Sequence, residues 1–388
     1  MEHLPVSQRP FDVIVIGAGA MGSAALYELA RRGRRVLGFE QFTPVHDRGS
    51  SHGRTRIIRK AYYEHPDYVP LLKRAYSRWY DLEVASGKHL LTECPCLSIG
   101  LPDSATILGV RASADEHGLE VDSLDAREIA KRYPQFRIDE PYVGELERGA
   151  GILAVEDCVR THLSEAVRLG ATLHGEETVV SWEVRGQQVA VRTDRAFYLA
   201  HKLVIAAGPW SARMLHEIGR PLRVMRQVMF WFGTADDRRF RRDRFPIFLV
   251  ETPDRSFYGT PITDTMGLKV AEHYGAPELL TPEEVDRVVA ASDLTHPGEF
   301  VRTWLHDATG PVRDSKVCTY TTTPDRHFLI DVHPDHSRVC FAAGFSGHGF
   351  KFASVVGEIL ADLADEGRTA LPIGRFRLRD FPPDSGPV

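Results

Sequence analysis

The sequence predicts a mixed α/β chain in which a Rossmann-type parallel sheet, built to hold a dinucleotide, is interleaved with an α+β second domain on a largely antiparallel sheet. Three observations carry this. Residues 12–40 read strand, glycine turn, helix, strand, acid. Two apolar runs, VIVI at 13–16 and KLVIAAG at 202–208, have the continuous form of strands buried on both faces. Between 221 and 269 the chain turns aromatic and β-forming, which marks antiparallel strands rather than further βαβ units.

The first unit is a dinucleotide fingerprint in its proper context. Gly17 permits the tight turn after the strand, Gly19 lets backbone approach a pyrophosphate, and Gly22 lets the next helix, 21–32, pack close. The N-terminus of that helix offers unpaired N–H groups and a partial positive charge. The second strand, 36–39, ends at Glu40, which can accept hydrogen bonds from both ribose hydroxyls and would repel a 2′-phosphate. FAD and NAD sites share this pattern.

A loop of turn formers follows at 44–53, then TRIIRKAY at 55–62, where Arg56 and Arg59 stand three apart as on one helical turn. Residues 68–84 place Leu71, Leu72, Ala75, Trp79 and Leu82 on one helical stripe. Next come a strand at 97–101, helices at 104–117 and 125–133, a short apolar run at 151–154, and a helix at 158–169 stopped by Gly170. Strands are predicted at 178–184, 188–193 and 196–199, and separately at 202–208, where Gly208 closes the run beneath the cofactor. After the aromatic region come helices at 282–292 and 299–306. The chain closes with strands at 328–331 and 338–343, a glycine turn, and a helix at 352–366. The alternation of styles places the dinucleotide domain at about 1–82, 150–218 and 317–388, and the substrate domain at about 83–149 and 219–316.

Composition narrows the class. With 388 residues, 43% hydrophobic and 26% charged, the chain has the make-up of a soluble globular protein, and a net charge of −5 gives no nucleic-acid footprint. The charged run at 236–244 mixes signs and reads as a solvated loop. The longest uncharged apolar stretch, 13–27, is too short to cross a bilayer and lacks the pattern of a signal peptide. Five cysteines form no secreted disulfide framework, and Cys94 and Cys96 are too close for a redox or zinc pair. These features predict a cytoplasmic protein whose partners are small molecules rather than nucleic acid or membrane.

A second glycine turn, GFSGHGFK at 344–351, brings Gly344, Gly347 and Lys351 between a strand and a helix. Lys269, Ala271 and His273 alternate with Val270 and Glu272, so a strand turns all three to one face. Taken singly, such a lysine, histidine and arginine pair read as solvated charges, and Cys318 as a small buried hydrophobe.

Together, the motifs change that reading. FDVIVIGAGAMG at 11–22, SHGRTRIIRKAY at 51–62, YVPLLKR at 68–74, FYGTP at 257–261 with GLKVAEH at 267–273, VCTYTTTPDRHFLIDVHP at 317–334 and CFAAGFSGHGFKFAS at 340–354 span nearly the whole chain. In content, order and spacing the chain resembles the monomeric sarcosine oxidase and N-methyltryptophan oxidase family of D-amino-acid-oxidase-like flavoproteins. The resemblance implies a monomer carrying FAD, joined by a thioether from the flavin 8α carbon to Cys318, under a roof formed by the substrate-domain sheet. It assigns Arg59 and Lys351 to the substrate carboxylate, and Tyr258 and His273 to the pocket around the amine. It places Lys269 over flavin N5, where it promotes reaction with oxygen, and Arg56 near the flavin ring. His52 and Thr55 belong to the same flavin-contacting segment, and the backbone of Val179 meets the adenine. The implied reaction oxidises the C–N bond of a secondary α-amino acid to an imine that water hydrolyses, while oxygen becomes hydrogen peroxide.

Departures from the sarcosine-specific members fall around the substrate. Leu249 replaces a methionine, and Thr260, Ile262, Thr263 and the 270–272 segment also differ. One methylene in such a pocket discriminates by only about 1–3 kcal/mol, so N-methyl amino acids such as sarcosine or N-methyltryptophan and cyclic ones such as pipecolate or proline all stay open. An electron acceptor other than oxygen is the alternative for the second half of the reaction.

Overall fold

The structure, a computed structural model, describes residues 9–219, 221–279 and 281–381. At its centre Phe11–Ile16 pairs in parallel with Val36–Phe39 on one side and Phe197–Ile205 on the other. Both faces of this strand are covered, as a continuous apolar run requires. Val13 and Val15 enter one core with Ala25, Leu29, Val356 and Leu360, while Ile14 and Ile16 enter another with Leu37, Val189 and Phe341. The helices Ala20–Arg31, Val155–Arg168 and Ala353–Glu366 cover the first face. The sheet has eight strands, and its members come from both ends and the middle of the chain. This is the expected Rossmann-type layer.

The second layer is a nine-stranded sheet, antiparallel but for the pair Ile247–Glu251 with Cys96–Gly100. Its centre is Arg223–Phe232, flanked by Leu268–His273 and Val312–Thr322. The latter strand belongs to this sheet along its whole length, so the expected junction at 316/317 falls inside it. A three-stranded sheet, Thr55–Ile58, Gly151–Ala154 and Leu91–Glu93, completes the set.

Three local expectations are corrected. Arg56 lies on a strand, not a helical turn: β-branched Thr55, Ile57 and Ile58 favour extended backbone, and Gly151–Ala154 supplies the pairing. The strands expected at 196–199 and 202–208 are one strand, Phe197–Ile205. No breaker separates them, and a single edge takes Gln188–Thr193 antiparallel and then His336–Ala343 in parallel. Residues 282–292 are not a helix. Between the short turns Pro282–Glu284 and Ala291–Leu294 the chain stays open, because Arg226 donates to the carbonyls of Asp286 and Val288 and ion-pairs with Asp293. Among the described residues no helix is long and apolar enough to cross a membrane, and no cluster of His, Cys, Asp or Glu could hold a metal ion.

Candidate active site

One continuous cavity runs between the two sheets, lined at one end by Gly17, Gly19, Glu40 and Val179 and at the other by Arg59, Tyr258, His273 and Lys351. Gly208, Gly344, Gly347, Thr55, Arg56, Leu249, Lys269 and Cys318 lie along its walls.

The first end is a glycine cradle. Gly17 has φ +91°, and a Cβ there would strike the Ala206 carbonyl oxygen at 2.5 Å. At Gly22 a Cβ would sit 1.7 Å from the Gly17 oxygen, so the helix can approach the strand only through glycine. Gly19 stands at the N-cap of Ala20–Arg31 and has no side chain to satisfy the first-turn amides. Glu40 is fixed at the end of its strand, with Oε2 accepting from Ala18 N at 3.1 Å and Oε1 from Phe42 N at 3.2 Å. Cradle, acid and a cavity continuing to Cys318 fit FAD, for which the protein would supply backbone N–H groups at the phosphates and a carboxylate at the ribose.

The other end is built by strand register. Partners across a sheet share a face, and the pairs Leu249 with Tyr258, Tyr258 with Ala271, Thr260 with Lys269, Lys269 with Trp231, and Cys318 with Gln227 align four functional residues from four strands on one face. His273 follows two residues after Ala271 on that face. The alternation of 269, 271 and 273 is therefore as the sequence predicts, but the face is interior. Lys269 is only 1% exposed.

That burial governs the chemistry. Lys269 Nζ donates to the carbonyl oxygens of Gly53 and Thr55, both at 2.9 Å, and its pKa lies well below the ordinary lysine value because of burial and the charge of Arg56. Burial lowers His273 to about 3, so it is a neutral imidazole, with Nδ1 3.1 Å from the Tyr320 hydroxyl. Tyr258, raised by burial, stays a neutral phenol, edge-on to His273.

Arg56 donates to the Ser50 carbonyl at 2.9 Å and reaches Cys318 Sγ at 3.4 Å. Burial works against a Cys318 thiolate, but the imidazole of His52 and the charges of Arg56 and Lys269 overcome it and bring the thiol to about 7. Cys318 is thus buried, as expected, yet far from inert. His52 does not line the cavity. It is buried behind it, against the Cys318 thiol and beside a separate hollow shared with Gly53 and Glu156.

Arg59 and Lys351 meet as a cationic corner. Arg59, 3% exposed, ion-pairs with Glu64 at 2.9 Å and stacks over Tyr62 and Tyr63. Burial opposes its charge, but Glu64 keeps its pKa above the usual value. Lys351 Nζ donates to His348 O at 2.7 Å and to the Tyr62 hydroxyl at 3.2 Å, and burial with the nearby Arg59 lowers it to about 7. Glu64, Tyr62, His348 and Tyr320 are absent from the sequence reading. They lie in loops or on a strand with no periodic signal, and only the tertiary contacts select them.

Comparison with known proteins shows the family and the fold. Residues 12–363 match the family described as DAO, FAD dependent oxidoreductase. The chain is 43% identical over 371 residues to a monomeric sarcosine oxidase of Streptomyces avermitilis, covering 94% of this chain and 96% of that protein. It is 35% identical over 373 residues to an N-methyl-L-tryptophan oxidase of Citrobacter koseri, covering 96% and 99%. Among solved structures, the open form of NikD, an unusual amino acid oxidase essential for nikkomycin biosynthesis, superposes with a TM-score of 0.84 at 26% identity over 96% of this chain and 98% of that one.

Proposed function

The chain belongs to the FAD dependent oxidoreductase family, and from that premise we propose that it oxidises the C–N bond of a secondary α-amino acid, with O2 as acceptor. The observation that carries the substrate class is the cationic corner, where buried Arg59 and Lys351 face one cavity beside neutral His273 and Tyr258. FAD, when bound, supplies the two-electron acceptor that O2 then reoxidises, giving H2O2.

The residues do the rest. A guanidinium and an ammonium hold a carboxylate by charge-assisted hydrogen bonds. The incoming carboxylate shares or displaces Glu64 as the partner of Arg59. His273 and Tyr258, both uncharged, form a wall for the amine that adds no charge. Arg56, Arg59, Lys269 and Lys351 oppose a further positive charge and lower the amine pKa, which favours the neutral amine whose lone pair the oxidation needs. Loss of a hydride equivalent from the carbon beside nitrogen, and of the N–H proton, leaves an imine, which water hydrolyses to a carbonyl compound and the freed amine. Lys269 is held in a buried site by two carbonyls; burial and Arg56 disfavour its ammonium form at rest, and negative charge developing on reduced oxygen favours it there. Cys318, poised near neutrality, would supply the thiolate for a thioether to the flavin 8α carbon, which would lose a C–H proton and two electrons, O2 accepting them as H2O2. The protein acts as a monomer on a small substrate.

The two half-reactions separate these roles. Arg59→Met should lower the apparent second-order rate of flavin reduction by about 100-fold or more, the scale of an unpaired buried charge contact. Reoxidation of that variant should stay near the parent rate. Lys269→Met should do the reverse, slowing reoxidation by O2 far more than reduction. Equal effects on both halves in both variants would refute the division of labour.

A further inference from the structure

We propose that Tyr62 and His348 are positioning residues that aim the Arg59–Lys351 pair at the substrate carboxylate. The inference rests on that pair binding the carboxylate.

Tyr62 is wholly buried and lies behind the cavity wall. Its ring carries the Arg59 guanidinium 4.4 Å from the centroid, and its hydroxyl lies 3.2 Å from Lys351 Nζ. One side chain therefore touches both cations: its face meets Arg59 and, at 5.0 Å from the centroid, Lys351, and its oxygen meets Lys351 alone.

The direction of the hydroxyl is set from behind. His348 Nε2 is 3.0 Å from the Arg326 carbonyl oxygen, which can only accept, so Nε2 carries the hydrogen. Burial and the charge of Lys351 keep this imidazole neutral, which leaves Nδ1 as an acceptor. Nδ1 lies 2.7 Å from the Tyr62 hydroxyl, nearer than the other acceptor within reach, the His348 carbonyl oxygen at 3.2 Å, and accepts its hydrogen bond. The tyrosine oxygen is then left with lone pairs toward Lys351. In its ammonium form, which a bound carboxylate favours, Lys351 spends one N–H on that oxygen and one on the His348 carbonyl at 2.7 Å, and its third N–H remains for a ligand. The Lys351 backbone is pinned as well, its carbonyl accepting from Trp79 Nε1 at 2.9 Å. The chain Arg326 O, His348, Tyr62, Lys351 has one consistent direction, and its free end is a single N–H in the cavity.

Tyr62→Phe removes the hydroxyl and keeps the ring beneath Arg59. In the flavin-loaded protein, affinity is read from the flavin absorption band with methoxyacetate and tetrahydrofuran-2-carboxylate, ether analogues of N-methyl and cyclic amino acids. Tyr62→Phe should weaken binding about tenfold, the scale of one hydrogen bond to a charged group, while flavin reduction at saturating substrate changes less than about threefold. In a Lys351→Met background the same substitution should change affinity less than about twofold, because both act through one N–H. His348→Leu should reproduce part of the loss, and His348→Asn, which keeps an acceptor near the Nδ1 position, should restore binding. Unchanged affinity in Tyr62→Phe, or the same loss in both backgrounds, overturns the proposal. Should Tyr62→Phe fail to hold flavin, the His348 pair decides: equal affinities for Leu and Asn overturn it. Lys351→Met binding these carboxylates as well as the parent would instead overturn the carboxylate reading beneath it.

Discussion

At the scale of single residues, position in the field outweighs residue type. Lys269 and Lys351 are both buried lysines, but Lys269 is held by backbone carbonyls, whereas Lys351 is held by a carbonyl and a phenol beside Arg59. Cys318 differs in the same way from the other four cysteines. Burial raises Cys94, Cys96, Cys158 and Cys340, and only Cys318, beside His52, Arg56 and Lys269, is lowered, to about 7. The sign for attachment follows: the reactive thiolate is the minor form below pH 7 and the major form above it. Apoprotein mixed with FAD should therefore acquire covalent flavin faster as pH rises through about 7, levelling off above. The readout is yellow colour that stays with the acid-precipitated pellet. Cys318→Ser should leave the pellet colourless, and a colourless parent pellet would refute the linkage.

At the scale of elements, what was legible follows what is periodic. The alternation of Lys269, Ala271 and His273 gives their common face directly, and the glycine spacing of 17, 19 and 22 gives the cradle. That the face is interior is not legible, because only pairing with Arg223–Phe232 and Ser256–Thr260 buries it. Thr55–Ile58 misled for a related reason: four residues fit one helical turn or a short strand equally, and the partner 151–154 lies far along the chain. Glu64, Tyr62 and His348 carry no period at all. The cradle also makes a prediction at this scale. Gly22→Ala places a methyl 1.7 Å from the Gly17 oxygen, whereas Gly19→Ala meets nothing closer than Ser51 Oγ at 3.5 Å. Gly22→Ala should destabilise the flavin-free protein by about 1–3 kcal/mol or more, seen as a lower melting temperature. Gly19→Ala should leave that temperature unchanged and weaken only flavin retention.

At the scale of the whole molecule, the site exists because the two sheets are interleaved. The Rossmann-type layer supplies the cradle and Glu40. The nine-stranded sheet supplies Tyr258, Lys269, His273 and Cys318, the segment after Thr55–Ile58 supplies Arg59, and the turn Phe350–Phe352 supplies Lys351. Neither layer alone has both the glycine cradle and the face that carries Lys269, His273 and Cys318. The chain style alternates visibly in the sequence, so this interleaving could be read there. The seating of the strand Val312–Thr322 wholly in the second sheet could not, since its Val, Thr and Tyr residues suit either sheet. The substrate within the secondary amino acids depends on the pocket around Leu249, Tyr63 and Tyr258.

The most direct test of the central claim is anaerobic bleaching of the flavin band by a panel of sarcosine, longer N-methyl amino acids, L-proline and L-pipecolate, since it isolates amine oxidation from the oxygen step. The account predicts rapid bleaching by at least one of them, and loss of that bleaching in Arg59→Met. A flavin-loaded protein that none of them bleaches would contradict it.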